Sequence, residues 1–388
     1  MDVGLAAMAV YSVVANREGT IDGVVGKIGR VPGKIMLTAI ILCIGPAVAI
    51  PRTAATTYEM GIRLIIPGLP QWLFGLIFFS VVLVLVIRPA KVVDIIGRYL
   101  TPVLLAVMVL LILIGVASPL GSSVPIENAV PMHDGILNGY QTLDGMGGAL
   151  MTLMLIAAIQ GHGFSKHKDI KGIVAGADII SATLLALVYG GLTYLGATVS
   201  GIGSFAGLDQ ASLLITITSG LLGKYGVIAL TIIVLMACLT TAVGLTSVAG
   251  NFFEELTKGK IKYTQVVVAI IVISYAMSNF GLSTIISIAA PILSALYPPL
   301  IVLVVMALLD RRILNDRIAC FGAYAAFIVS LLDTVSSAIP QLQFISSLPF
   351  SEYGLAWVIP AVVCGLIGVF FKPKSTSGIL TTNMDKAA

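Results

Sequence analysis

The chain has 388 residues, 58% of them hydrophobic and 10% charged, with a net charge of +4 and a mean hydropathy of +1.06. Soluble domains carry roughly 25% charged residues, so this composition excludes an ordinary globular protein and points to a lipid bilayer. The basic residues sit in short clusters between apolar runs, with no basic domain or aromatic-studded basic face, which argues against nucleic acid as a partner.

Eleven apolar runs follow one another: 3–15, 34–64, 71–88, 99–118, 135–163, 172–200, 224–253, 263–279, 283–309, 317–338 and 353–371. Most reach the roughly 20 residues that a helix needs to cross about 30 Å of hydrocarbon. Basic clusters mark every second connection: Arg17, Lys27, Arg30 and Lys34; Arg88, Lys91 and Arg98; Lys166, Lys168 and Lys171; Lys258, Lys260 and Lys262; Arg311, Arg312 and Arg317; Lys372, Lys374 and Lys386. The intervening loops carry acids instead, Glu127 and Asp134 in one and Glu352 in another. Under the positive-inside rule the basic side, and with it the C-terminus, is cytoplasmic. Only Arg52, Arg63 and Lys224 break the alternation. The first run is about 20 Å long as a helix, too short to cross, so the chain is expected to begin partway through a membrane segment.

Within run 34–64 lies the most unusual stretch, Gly45 to Arg63. At about 100° per residue, Arg52, Thr56, Glu59 and Arg63 share one helical face. Charge in hydrocarbon is expensive, so this stripe belongs either against protein or a water-filled path, or, for Glu59 and Arg63 as an i,i+4 pair, at the outer interface. Arg52 stands about 27 Å up the helix from Lys34, nearer an outer gate than the midplane.

Four runs are expected to be irregular. Asp144-Gly145-Met146-Gly147-Gly148 favours an unwound break between half-helices near 135–144 and 149–163, the alternative for each glycine being close helix packing. Pro46 and Pro51 interrupt run 34–64, and Pro291, Pro298 and Pro299 are expected to kink run 283–309. Run 172–200 carries Gly190, Gly191, Gly196 and a polar Asp178. Irregular backbone at membrane depth survives where it is buried in protein or lines a cavity, so such breaks point to a transporter's binding site.

Run 224–253 contains Ala237-Cys238-Leu239-Thr240-Thr241. The Thr240 and Thr241 hydroxyls either bond back to carbonyls one turn earlier or form, with the Ala237 carbonyl, part of an oxygen shell for a small hard cation such as Na⁺. The four cysteines, Cys43, Cys238, Cys320 and Cys364, lie in apolar runs without a C-x-x-C and read as buried thiols, with neither disulfide nor metal cofactor implied. No H-E-x-x-H, G-x-S-x-G or phosphate-binding loop is present. An intramembrane hydrolase built on Asp144 with Asp178 or Asp333 is disfavoured by their different expected depths.

Gly45-Pro46, Ala49-Ile50-Pro51-Arg52-Thr53 and Tyr58-Glu59-Met60-Gly61-Ile62 resemble the signature of the bacterial branched-chain amino acid:cation symporter family, the system II carriers (LIVCS family). Leu143-Asp144, Ala237 to Leu245, Ser278 to Leu282 and Ala295 to Pro299 match in order. The resemblance implies an all-α polytopic membrane protein with the LeuT-type (APC superfamily) inverted-repeat fold, about eleven membrane segments being present of an expected twelve. It implies one transmembrane domain over 1–371, with 3–118 as the rest of the first repeat, 135–309 as the second and 317–371 as two C-terminal helices, then a cytoplasmic tail, 372–388. It further implies a non-enzymatic importer of leucine, isoleucine and valine in the bacterial inner membrane, with Na⁺ as coupling ion and no obligate protein partner. The substrate would meet Asp144, Gly145, Met146, Gly147, Gly148 and Tyr58, with Met151 and Leu150 flanking its side chain. Arg52, Thr53, Thr57 and Glu59 would line the gate, and Ala237, Thr240 and Thr241 would hold Na⁺. The family's first helix, with its own Gly-rich break, has no counterpart here, which leaves a truncated, non-transporting remnant as one alternative and proton coupling through Glu59 or Asp144 as another.

Overall fold

In the computed structural model a helix forms within each of the eleven apolar runs. The structure describes residues 2–15, 21–87, 101–125, 130–164, 166–205, 207–309, 316–336 and 339–371, and all regular structure among them is helical. The expected tail 372–388, the acidic Glu127 and the basic residues Arg17, Arg88, Lys91, Arg98, Arg311, Arg312, Lys372, Lys374 and Lys386 lie outside the described residues.

In chain order the helices are α1 (Asp2–Ala15), α2 (Ile21–Val25), α3 (Arg30–Leu42), α4 (Ala49–Thr57), α5 (Arg63–Ile65), α6 (Gln71–Ile87), α7 (Thr101–Ala117), α8 (Pro131–Thr142), α9 (Asp144–Gly161), α10 (His167–Thr198), α11 (Gln210–Leu256), α12 (Tyr263–Ser278), α13 (Leu282–Leu309), α14 (Asp316–Ser336) and α15 (Val358–Ile367). Among the described residues, five stretches are long and apolar enough to cross a bilayer: Arg30–Ile65, Lys168–Thr198, Gln210–Leu256, Leu282–Leu309 and Asp316–Ser336. The bent pair from Pro131 to Gly161 makes a sixth when taken as one span.

The prolines act as their chemistry dictates at one place and not at another. Proline disfavours the helical region for the residue before it, and Gly45, before Pro46, is the non-helical residue (φ −83°, ψ −120°) in a π-helical turn, Cys43–Ala47. Pro51 falls in the first turn of α4, where its missing N–H has no intrahelical role, and the helix runs on undisturbed. Run 283–309 is not interrupted: α13 is one continuous helix through Pro291, Pro298 and Pro299. Pro299 cannot donate to the Ala295 carbonyl, and the Ser330 hydroxyl of α14 donates to it instead, at 3.2 Å. Run 172–200 is likewise a single helix, α10, through Gly190, Gly191 and Gly196. Run 224–253 is longer than its apolar core: α11 begins at Gln210 and kinks at Gly223 (φ 62°, ψ −157°), a conformation only glycine takes readily.

The chain forms two compact units of interleaved segments, residues 1–44, 130–182 and 288–388 in one, 45–129 and 183–287 in the other. In the first, α1 lies along α9, and Val14, Ile159, Ile170 and Val174 make a buried cluster. There too α14 packs on α15 through small residues. A Cβ at Gly322 would sit 3.2 Å from the Ala361 carbonyl oxygen and one at Gly368 would sit 2.7 Å from that of Arg317, so bare glycines let the backbones approach. In the second unit α4 lies along α11, and Leu111, Leu195, Val199 and Ile217 form a buried cluster between α7, the later part of α10 and the start of α11.

Candidate functional site

In the first unit the break expected across Asp144–Gly148 falls instead at a single residue, Leu143, which takes the left-handed conformation (φ 66°, ψ 8°). The five residues after it are helical: the Gly147 N–H already donates to the Leu143 carbonyl at 2.8 Å. Two of the three glycines here, Gly145 and Gly148, serve close packing, while a Cβ at Gly147 would meet nothing within 4 Å. A Cβ at Gly145 would lie 3.1 Å from Leu5 and 3.3 Å from Tyr297, and one at Gly148 would lie 3.0 Å from Val10. A left-handed leucine costs about 1–2 kcal/mol, which the surrounding contacts must offset. Tyr297, fully buried, stacks on Tyr140 with centroids 4.7 Å apart, closing the side of the break.

This geometry sets the chemistry of α9's first turn. Its leading N–H groups have no carbonyl within their own helix to donate to, so they favour an anion, while the Asp144 carboxylate beside them favours a cation. Asp144 is half-buried, and its N–H lies 3.4 Å from the Thr142 hydroxyl. Met146 and Leu150 are buried in the unit's core, and Met151 is half-buried. The other residue assigned to substrate, Tyr58, belongs to the second unit. Its hydroxyl donates to the Leu69 carbonyl at 2.9 Å and its ring packs on Phe74.

In the second unit the two stretches singled out separately in the sequence meet. α4 and its flanks run antiparallel to α11: Gly45 faces Ala249, with 3.6 Å available to a Cβ, Thr57 and Arg52 flank Cys238, and Gly61 abuts Thr231. Thr57 lies within hydrogen-bonding reach of the Cys238 thiol, and the Arg52 guanidinium is near enough for its charge to act on that sulfur. The gate threonines satisfy themselves locally, Thr53 donating to the Ile50 carbonyl at 2.6 Å and Thr57 to that of Thr53 at 2.8 Å. Arg52, Thr56 and Glu59 are half-buried whereas Arg63 is exposed, so only the outermost member of the charged stripe reaches the surface.

Glu59 has a definite partner that the sequence did not reveal. Its Oε1 accepts from the Leu282 N–H at 2.8 Å, at the first residue of α13. The preceding Gly281 is left-handed (φ 85°), and a Cβ there would lie 3.4 Å from the same oxygen. One helix turn away, Gln71 donates through Nε2 to the Ser278 carbonyl at 2.6 Å. The turn from α12 to α13 is therefore held at both ends by side chains from the segment that follows α4.

For the cation triad, the Thr240 hydroxyl donates to the Ala237 carbonyl at 2.7 Å. That is the self-satisfied arrangement, but it also sets two oxygens side by side, and the hydroxyl's lone pairs remain free to face a cation. Ala237 and Thr240 are half-buried and Thr241 is exposed. No cluster of three or more His, Cys, Asp or Glu side chains suited to a metal occurs among the described residues.

Long apolar helices, intramembrane charge held by backbone partners and a helix broken at a left-handed residue define a multi-pass helical membrane protein. The family described as "Branched-chain amino acid transport protein" matches residues 1–375, and the chain belongs to it. The chain is 32% identical over 382 residues to the branched-chain amino acid permease BraB of Bacillus subtilis, covering 94% of this chain and 84% of that one. It is 33% identical over 378 residues to the branched-chain amino acid transport system 2 carrier protein of Pseudomonas aeruginosa (95% and 85% covered). Against the permease BrnQ of Bacillus subtilis it is 30% identical over 391 residues (96% and 88%).

Proposed function

We propose that this chain is a sodium-coupled importer of leucine, isoleucine and valine, working by alternating access in a bacterial inner membrane with its C-terminus in the cytoplasm. The observation that carries the reading is the first turn of α9 within a chain of this family: N–H groups for an amino acid's carboxylate, Asp144 for its ammonium. The Ala237 and Thr240 oxygens, 2.7 Å apart, with Thr241, form the proposed Na⁺ site, and an oxygen-only donor set suits a hard cation. Arg52, Thr53, Thr57, Tyr58 and Glu59 form the proposed wall of the outer path. A LeuT-type fold is supported by the interleaving of the units, since each combines parts of both expected repeats: 1–44 with 130–182 and 288–309, and 45–129 with 183–287.

The test is labelled-leucine uptake into proteoliposomes against sodium concentration. Each ligand to a charged centre is worth roughly 1.5–3 kcal/mol, so Thr240→Ala and Thr241→Ala should raise the sodium requirement about ten- to a hundredfold. Uptake that ignores sodium in the unmutated chain, or an unchanged requirement in both variants, overturns the coupling. Absence of leucine uptake under any gradient overturns the importer.

A further inference from the structure

Asp178 stands in α10, about 16 Å from that helix's His167 end, in a segment otherwise apolar enough to cross the bilayer. Its Oδ2 is buried and has no hydrogen-bond partner. Buried polar atoms are almost always paired, and a carboxylate within a membrane helix is costly unless it is paired or faces water. The face it shares is the packed one: Val174 and Ile170, one and two turns before it, are buried with Val14 of α1 and Ile159 of α9.

Among the described residues the neighbouring elements supply no countercharge. Over their described side chains α1 offers only Tyr11 and α9 only Asp144, at its far end. On α10 itself Lys168, Asp169 and Lys171 lie in the opening turns, and the Lys171 ammonium is held 5.3 Å over the Tyr11 ring. Asp178 as a whole is half-buried, and its buried Oδ2 meets no hydrogen-bond donor. An ionised Oδ2 lacks the donors that would stabilise it here, whereas a neutral carboxylic acid needs only one weak acceptor.

We propose that Asp178 is a proton-binding site of the transport cycle. It is a neutral acid in the conformation seen here and an ionised carboxylate in a conformation where this part of α10 meets water. One O–H bond forms or breaks per event, and the proton is exchanged with water on the side of the Lys166–Lys171 loop. The proposal rests on the transporter reading, because only a cycle that changes the access of α10 makes the site turn over. It adds to the sodium site a carboxylate through which pH acts on transport.

The experiment reconstitutes the full chain in proteoliposomes and measures the initial rate of labelled-leucine uptake while sodium and membrane potential are clamped and pH is varied on the side of the Lys166–Lys171 loop. In the unmutated chain the rate should fall about tenfold per pH unit above the site's midpoint. Asp178→Asn, a neutral isostere, should flatten that profile, and Asp178→Glu should restore it at a shifted midpoint. A flat profile in the unmutated chain, or an unchanged one in Asp178→Asn, overturns the proposal. An infrared pH titration of the purified chain gives a readout independent of transport: a protonated-carboxyl band that titrates in the unmutated chain should be lost in Asp178→Asn. Identical titrations overturn the proton site even where uptake fails, while failed uptake with a titrating Asp178 band overturns the importer instead.

Discussion

Removing the Glu59 carboxylate tests whether this signature residue acts on the start of α13 rather than on a passing substrate. The Oε1–Leu282 N–H bond of 2.8 Å joins a charged acceptor to a first-turn donor that has no carbonyl of its own helix to bond. Hydrogen bonds to charged groups contribute about 1.5–3 kcal/mol, and an acid at a helix N-terminus contributes about 0.3–1 kcal/mol more. Glu59 is half-buried, so solvent screens part of this and about 2–3 kcal/mol is the reasonable sum. Glu59→Ala should therefore speed hydrogen exchange at the Leu282 amide about 30- to 150-fold, since each 1.4 kcal/mol is a factor of ten. Glu59→Gln keeps an acceptor without the charge and should fall between the two. Exchange by the protein in detergent micelles or nanodiscs, followed by mass spectrometry of peptides spanning 278–290, is the assay. Leu282 exchange in Glu59→Ala within about twofold of the unmutated protein would refute the anchoring role and return Glu59 to the gate alone.

Two further substitutions probe the scaffold of the second unit. Gly61→Ala places a Cβ 2.9 Å from the Thr231 Cβ and closer still to its methyl, so it should cost about 1–3 kcal/mol in resistance to chemical unfolding, partly recovered by Thr231→Ala. A neutral result would mean that α4 and α11 separate freely at that end. Asp209 caps α11, accepting from the Ser212 N–H at 2.7 Å, and the Ser212 hydroxyl and N–H, with a smaller contribution from Arg63, hold its carboxyl below the usual carboxylate range. Because the folded value is depressed, the cap's stabilisation is present above the ordinary Asp value of about 3.9 and is lost as pH falls through the folded one. Asp209→Ala should cost about 0.5–1 kcal/mol at neutral pH, the lower part of the capping range for so exposed a site. It should leave the acid limit of stability unchanged, and an equal loss at both pH values would refute the cap.

What was legible in the sequence, and what was not, follows the range of the interactions concerned. Run 34–64 reads correctly as broken at Pro46 because proline restricts its immediate neighbour, Gly45, an effect complete within two residues. Run 283–309 stays one continuous helix despite its three prolines, and the carbonyl freed by Pro299 is satisfied by Ser330, far along the chain on α14. The glycines after Asp144 are informative in composition but ambiguous in meaning, since unwinding and close approach both favour glycine. The structure sets Leu5 against Gly145 and Val10 against Gly148 and leaves the break to Leu143, a residue with no sequence signal for left-handed backbone. The same ambiguity, read in reverse, would have found the meeting of α4 with α11. Gly61 closes the charged signature, and there α11 leaves no room for a Cβ, whereas at Gly45 it leaves 3.6 Å. A polar stripe ending in a close-packing glycine is one that a neighbouring helix covers, and Arg52 and Glu59 are half-buried beside Cys238 and Leu282 while Arg63, past that glycine, is exposed.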